Sequence, residues 1–145
     1  MRKLLPLVAL AVLPACVGPA LWYDAYEGKA GGTAAQMQST VETARFVALA
    51  AGRGKALSAY VGVALTDAEQ DASAIQGAFD SIQPPNPNAD RLRDELDPLL
   101  SKAASVISEM RIAARRDRLP DLQRMAQPLQ ALSDQLERFA KAHST

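Results

Sequence analysis

The side chains that carry chemistry are scarce in this chain. Its 145 residues include one Cys, Cys16, and one His, His143. One of each excludes an internal disulfide framework and the common zinc clusters, which need about four Cys or His ligands. The paired Glu-x-x-His sets of di-iron bundles cannot be assembled either. There is no Cys-x-x-Cys-His for haem attachment, no Gly-x-x-x-x-Gly-Lys-Ser/Thr phosphate loop and no Gly-x-Ser-x-Gly nucleophile elbow. Asp67 and Asp71 stand at i, i+4, which puts two carboxylates on one face of a helix. That arrangement reads as a solvated face rather than an acid–base pair. His143, near the C-terminus, reads as a solvated terminal residue. A non-enzymatic protein with no cofactor and no metal is therefore expected.

Cys16 closes a distinctive segment. Arg2 and Lys3 form a short positive region, and an apolar run of about ten residues follows from Leu4 to Leu13. The run ends in Leu13-Pro14-Ala15-Cys16, which resembles the lipobox of bacterial lipoproteins. The resemblance covers residues 1–16. It implies cleavage between Ala15 and Cys16, a diacylglyceryl group on the Cys16 sulfur, and Cys16 as the new N-terminus. Two acyl chains suffice for stable membrane attachment. Val17 follows the Cys where some lipoproteins carry Asp, which in a two-membrane cell leans toward the outer membrane. Two alternatives stay open. Residues 4–21 are long enough for an uncleaved membrane helix, with Trp22 and Tyr23 as an interfacial anchor and Pro6, Pro14 and Pro19 standing against it. Ordinary cleavage after Ala15 would instead release a secreted protein. Both tethered readings place the chain on a cell membrane or outer membrane, facing out of the cytoplasm.

The remainder reads as helix. Twenty-eight alanines and few aromatic or β-branched residues favour an all-α fold. Gly18, Pro19, Gly28, Gly31 and Gly32 mark residues 16–32 as a lipidated N-terminus and flexible spacer. The helical domain is expected to span residues 33–145. A first helix from Thr33 to about Ala51 carries Met37, Val41, Ala44 and Ala48 on one face. Gly52-Arg53-Gly54 then reads as a turn rather than a kink. A second helix, from about Lys55 to Gln83, carries Leu57, Val61, Ala64, Ala68, Ala72, Ile75, Phe79 and Ile82. Pro84-Pro85-Asn86-Pro87 stops it. A third, from about Ala89 to Arg116, carries Leu92, Leu96, Leu99, Ala103, Val106, Met110 and Ala113. A fourth starts near Pro120 and carries Leu122, Met125, Leu129, Leu132, Leu136 and Phe139. The 3–4 alternation suits shallow packing angles. Together these features predict an up-down-up-down antiparallel four-helix bundle.

Sixteen basic and sixteen acidic side chains give zero formal charge, and this balance argues against a nucleic-acid partner. The bundle topology nevertheless sorts the charges. Arg53, Lys55, Arg111, Arg115, Arg116, Arg118 and Arg124 gather at one end, diluted by Asp117 and Asp121. Asp80, Asp90, Asp94, Glu95 and Asp97 gather at the other, with Arg91 and Arg93. Part of this order serves the helix dipoles, which favour cations at C-termini and acids at N-termini. The functional reading is a basic tip (Arg53, Lys55, Arg111, Arg115, Arg116 and Arg118) that docks an acidic envelope component or protein partner. Pro98 and Pro128 should bend their helices. Gly62, Met110 and Pro128, counted to one height, could open a core pocket. A small-ligand sensor or carrier is therefore the alternative to an interaction or scaffold module. Self-association through a helical face is compatible with both.

Overall fold

The computed structural model describes residues 20–144, and these are all-α: five helices and no strand among the described residues. The leader, the cleavage position Ala15–Cys16 and the uncleaved-anchor reading lie outside the described residues, apart from the last two positions of the latter. Helix α1 spans Tyr23–Gly52, α2 Ser58–Asp80, α3 Pro87–Arg115, α4 Leu119–Met125 and α5 Gln127–Ala142. Helix α1 packs against all four others. Helix α2 lies against α1 and α3, and the α4–α5 limb lies against α1 and α3 from the other side.

Paired residues establish direction. Tyr26 meets Phe79, with ring centroids 5.7 Å apart, so α1 and α2 run antiparallel. Gln76 donates to Ser101 and Glu69 pairs with Arg111, so α2 and α3 do too. Glu27 meets His143 and Gln38 donates to Ser133, which sets α5 antiparallel to α1.

The first helix starts ten residues earlier than the glycine-rich sequence suggests, at Tyr23 rather than Thr33. Residues 23–32 are therefore not a flexible spacer. Tyr26, Ala30 and Gly31 are buried. A Cβ on Gly31 would collide with the carbonyl of His143, so this glycine serves close packing of the α5 terminus rather than a break.

The turns follow from local chemistry. Gly54 has φ +66, its N–H donates to Ala51 O (2.9 Å), and Lys55 N–H donates to Ala50 O (2.8 Å). This is a Schellman ending, so 52–54 is a turn as the sequence indicates. Helix α3 ends in the same way: Asp117 has φ 57, its N–H donates to Ala114 O and that of Arg118 donates to Ala113 O, both at 3.0 Å. Here Asp occupies the left-handed position, which Asp tolerates better than most residues. Helix α3 begins at Pro87 rather than Ala89. Asn86 caps it by accepting from Asn88 N and Ala89 N, and Pro is at ease in a first turn.

The expected fourth helix is two. Pro128 has no N–H for the carbonyl four residues back and crowds it, so the ladder is cut at Ala126 and α5 restarts with Pro128 in its first turn. Pro98 sits within α3 without dividing it. The core holds most of the expected stripes, with Leu65 added; on α3 Leu100 and Ile107 take the core places expected of Leu99 and Val106, which are only partly buried, as are Ala64, Ile75 and Met125. Leu57 departs from its stripe: it is the N-cap residue of α2 and stands in solvent.

Candidate functional site

The two Schellman endings lie at the same end of the molecule. Gly52, at the end of α1, packs directly on Gln123 of α4. Both turns carry cations at equivalent places. Arg53 and Arg116 cap their helices, and Lys55 and Arg118 each follow the residue with positive φ. Arg53, Lys55, Arg115, Arg116 and Arg118 are exposed. Arg118 lies 3.9 Å from Asp121, which also pairs with Arg124 at 3.0 Å. Among the described residues, no carboxylate lies within 4 Å of Arg53, Lys55, Arg115 or Arg116, though Arg115 also acts through space on the Glu69 carboxylate.

Arg111 is different. It forms a half-buried ion pair with Glu69 of α2. The Ser108 hydroxyl and the Arg111 guanidinium hold the Glu69 carboxyl below its usual range. Arg111 therefore binds α3 to α2 and is not available to a partner as the sequence reading has it. The neutralised position leaves Arg115 as the open cation on that side, lining a shallow groove with Gly62, Val63 and Asp67.

The predicted core pocket is not assembled. Gly62 borders that open groove, Met110 is fully buried, and Pro128 is exposed on the far limb. Because α2 and the α4–α5 limb flank α1 and α3 from opposite sides, Gly62 and Pro128 do not meet.

The tip also has a feature that the periodicity argument missed. Phe46 is 72% exposed, Leu57 80%, Tyr60 59% and Val63 62%. Phe46, Leu49, Leu57 and Tyr60 line a groove of about 600 Å³ between α1 and α2, with Arg53 and Lys55 on its rim. The signal was present in the sequence: Phe46, Tyr60 and Val63 are large apolar residues that fall off the buried stripes.

No protein-family model, curated protein or solved structure matches this chain. Among the described residues no helix is long and apolar enough to cross a membrane, and no cluster of three metal-ligating side chains occurs.

At the opposite end the charges are tied to structure. Arg93 donates to the carbonyls of Phe79, Asp80 and Ile82, the last at 2.6 Å, and so closes the C-terminus of α2. Its guanidinium lies 5.7 Å from the centre of the Phe79 ring. Burial pushes the Tyr26 phenol up, with Arg93 pulling the other way. Burial and the neighbouring Asp80 and Asp94 push the Asp97 carboxyl up against the pull of Arg93, and Asp97 Oδ1 is buried without a hydrogen-bond partner among the described residues. A carboxyl with a raised pKa in the folded state binds its proton more tightly there than in the unfolded chain. Its ionisation penalty is absent below the unfolded value, near 3.9, grows as pH rises from there toward the folded value, and is complete above it. Asp97→Asn should therefore raise the thermal midpoint at pH 7, and the gain should vanish as pH falls toward about 3. An equal gain at both pH values would place the effect outside ionisation.

Proposed function

We propose that this protein is a membrane-anchored, extracytoplasmic lipoprotein whose helical module serves interaction or scaffolding and not catalysis. The lipobox-like sequence at residues 13–16 supports the anchor on Cys16. The module is read as an up-down-up-down bundle of four limbs in which α4 and α5 form one broken limb; the antiparallel pairings of α1 with α2, α2 with α3 and α1 with α5 support that reading. Lipid attachment at Cys16 would leave the acidic end beside the membrane and the basic tip facing away from it. Removal of residues 1–15 takes away Arg2 and Lys3 and leaves a slight acidic excess, so attraction by the tip is local and not a property of net charge.

One observation carries the docking role. Two separate turns converge on one end and present Arg53, Lys55, Arg115 and Arg116 to solvent with no close ion pair to a carboxylate among the described residues. Helix-dipole compensation accounts for cations near a C-terminus. It does not require four of them, from two chain segments, to be left open together. The partner they suit is an acidic envelope polymer or the acidic surface of a protein.

A single preparation tests both halves. The wild type, Cys16→Ser and the double variant Arg115→Glu/Arg116→Glu are recovered from the membrane fraction after mild cross-linking. Intact mass should show loss of residues 1–15 and a diacylglyceryl increment in the wild type and in the double variant, but not in Cys16→Ser. Full-length mass without lipid would refute the anchor. Acidic material captured by the wild type should be lost from Arg115→Glu/Arg116→Glu at unchanged helicity. Unchanged capture would refute the docking role.

A further inference from the structure

The apolar patch beside the tip has an ordered charge pattern. Arg53 and Lys55 stand at one edge of it, Phe46, Leu57, Tyr60 and Val63 make up its middle, and Asp67 and Asp71 stand at the other edge. Tyr60 joins the two halves: it lines one groove with Phe46, Leu57, Arg53 and Lys55, and the neighbouring groove with Val63, Asp67 and Asp71. Leu57, Tyr60, Val63, Asp67 and Asp71 recur at three- and four-residue steps, so they follow one face of α2 and its N-cap. Asp67 and Asp71 are exposed, and neither has a basic partner among the described residues. The surface therefore reads positive, apolar, negative along a line.

A surface of that kind is complementary to itself when turned end for end. With a twofold axis perpendicular to α2 between Tyr60 and Val63, the positive edge of one copy falls on the negative edge of the other, twice. By helical rise, Asp67 lies about 8 Å beyond the axis level, and Lys55 stands on the near side, in the turn before α2 begins. This is the defining property of an isologous interface. From it we infer that the patch is the contact surface of an antiparallel homodimer, in which Arg53 and Lys55 of each copy meet Asp67 and Asp71 of the other across a centre of Phe46, Leu57, Tyr60 and Val63.

Other arrangements fit less well. Parallel pairing of two copies would set Arg53 against Arg53 and Asp67 against Asp67, and like charges face to face cost affinity. An anionic membrane surface would be attracted by Arg53 and Lys55 but repelled by Asp67 and Asp71. The four apolar side chains together expose on the order of 500 Å², near the top of what a typical monomer leaves in one patch. With the stems of the flanking charged residues the area approaches the roughly 800 Å² per partner of a standard interface.

The pairing takes up Arg53 and Lys55, two of the four open cations, and borders Arg115, which shares a groove with Val63 and Asp67, so pairing and docking at the tip draw on the same cations and compete. It also points the starts of the two α1 helices in opposite directions, roughly 60 Å apart by helical rise. If the chain is tethered through Cys16, each pair would join two membrane surfaces rather than lie along one.

Sedimentation equilibrium of the full chain in density-matched neutral detergent tests the dimer, up to roughly 300 μM, the weak end of specific association. Two charge-reversed proteins are compared with the wild type: Arg53→Glu/Lys55→Glu and Asp67→Lys/Asp71→Lys. All changes are on exposed positions, and circular dichroism checks that helicity is kept. Each variant alone should associate at least tenfold more weakly than the wild type. An equimolar mixture should regain the wild-type association as a heterodimer, because each contact then again pairs opposite charges. A wild type that stays monomeric throughout overturns the inference, as does association unaffected by either reversal. A mixture that fails to recover overturns it too. A monomeric wild type that instead binds a Glu-rich amphipathic peptide at Leu57 and Tyr60 would assign the patch to a foreign partner.

Discussion

Phe79→Ala should cost about 3–5 kcal/mol of folding stability, the largest effect expected of any single substitution considered. Phe79 is 1% exposed and sits where α2 meets the N-terminal part of α1. Its ring packs on that of Tyr26 at 5.7 Å and lies beneath the Arg93 guanidinium, also at 5.7 Å. Truncation leaves a cavity and removes both ring contacts. It also loosens the carbonyl clamp of Arg93 on Phe79, Asp80 and Ile82, which shares the same guanidinium. A domain of this size has a total stability of about 5–15 kcal/mol, so the loss would be a large fraction of the whole. Urea unfolding with an unchanged slope measures it. A loss under about 1 kcal/mol would mean that Tyr26 and its neighbours collapse into the space, and that this end of the fold is not tightly specified.

Gly52→Ala should destabilise by about 1–3 kcal/mol, against the usual preference of helices for alanine. A Cβ at Gly52 would lie 2.6 Å from the Cβ of Gln123, 3.1 Å from its backbone nitrogen and 3.2 Å from its Cα. None of these atoms belongs to the far end of a flexible side chain, so α4 as a whole must move away from α1. The turn that carries Arg116 and Arg118 adjoins α4 and would shift with it. Gly32 provides the opposite case. It is exposed in the same helix, and a Cβ there meets nothing within 4 Å. Gly32→Ala should therefore stabilise by about 0.5–1 kcal/mol. Thermal or urea unfolding of the pair reads the difference in sign. Stabilisation by both would show that the contact between α1 and α4 is looser than the distances indicate.

The two glycines also mark the boundary between what could and could not be read in the chain. A glycine looks the same in sequence whether it ends a helix, lets another element approach, or faces water. Gly54 does the first, Gly31 and Gly52 the second, and Gly32 the third. Local propensity alone makes Gly28, Gly31 and Gly32 a break and starts the first helix at Thr33. The long-range packing of Tyr26 on Phe79 and of Gly31 on the end of α5 outweighs local helix propensity, which is a weak prior.

The docking residues divide in the same way. The sequence brought Arg53, Lys55, Arg115, Arg116 and Arg118 to one end through turn positions alone, because short connections between helical stripes leave little freedom of direction. It could not distinguish Arg111 from Arg115. They are four residues apart on one helix, yet only Arg111 has Glu69 opposite it. Nor could it assemble or dismiss the pocket of Gly62, Met110 and Pro128, since heights along helices do not say on which side a limb packs.

From sequence alone came the all-α class, most of each apolar stripe, the stops at 52–54 and 84–87, and the disturbance at Pro128. Each rests on helical period, on the missing N–H of proline or on the freedom of glycine, and all of these act within a few residues. Tertiary structure alone decided which cations remain open, that Leu57 leaves its stripe, and that Phe46, Tyr60 and Val63 form one uncovered patch between Arg53 and Asp67. Those outcomes depend on which faces of α1, α2 and α3 meet. Burial, ion pairing and shape complementarity are settled only when segments distant in the chain are brought together.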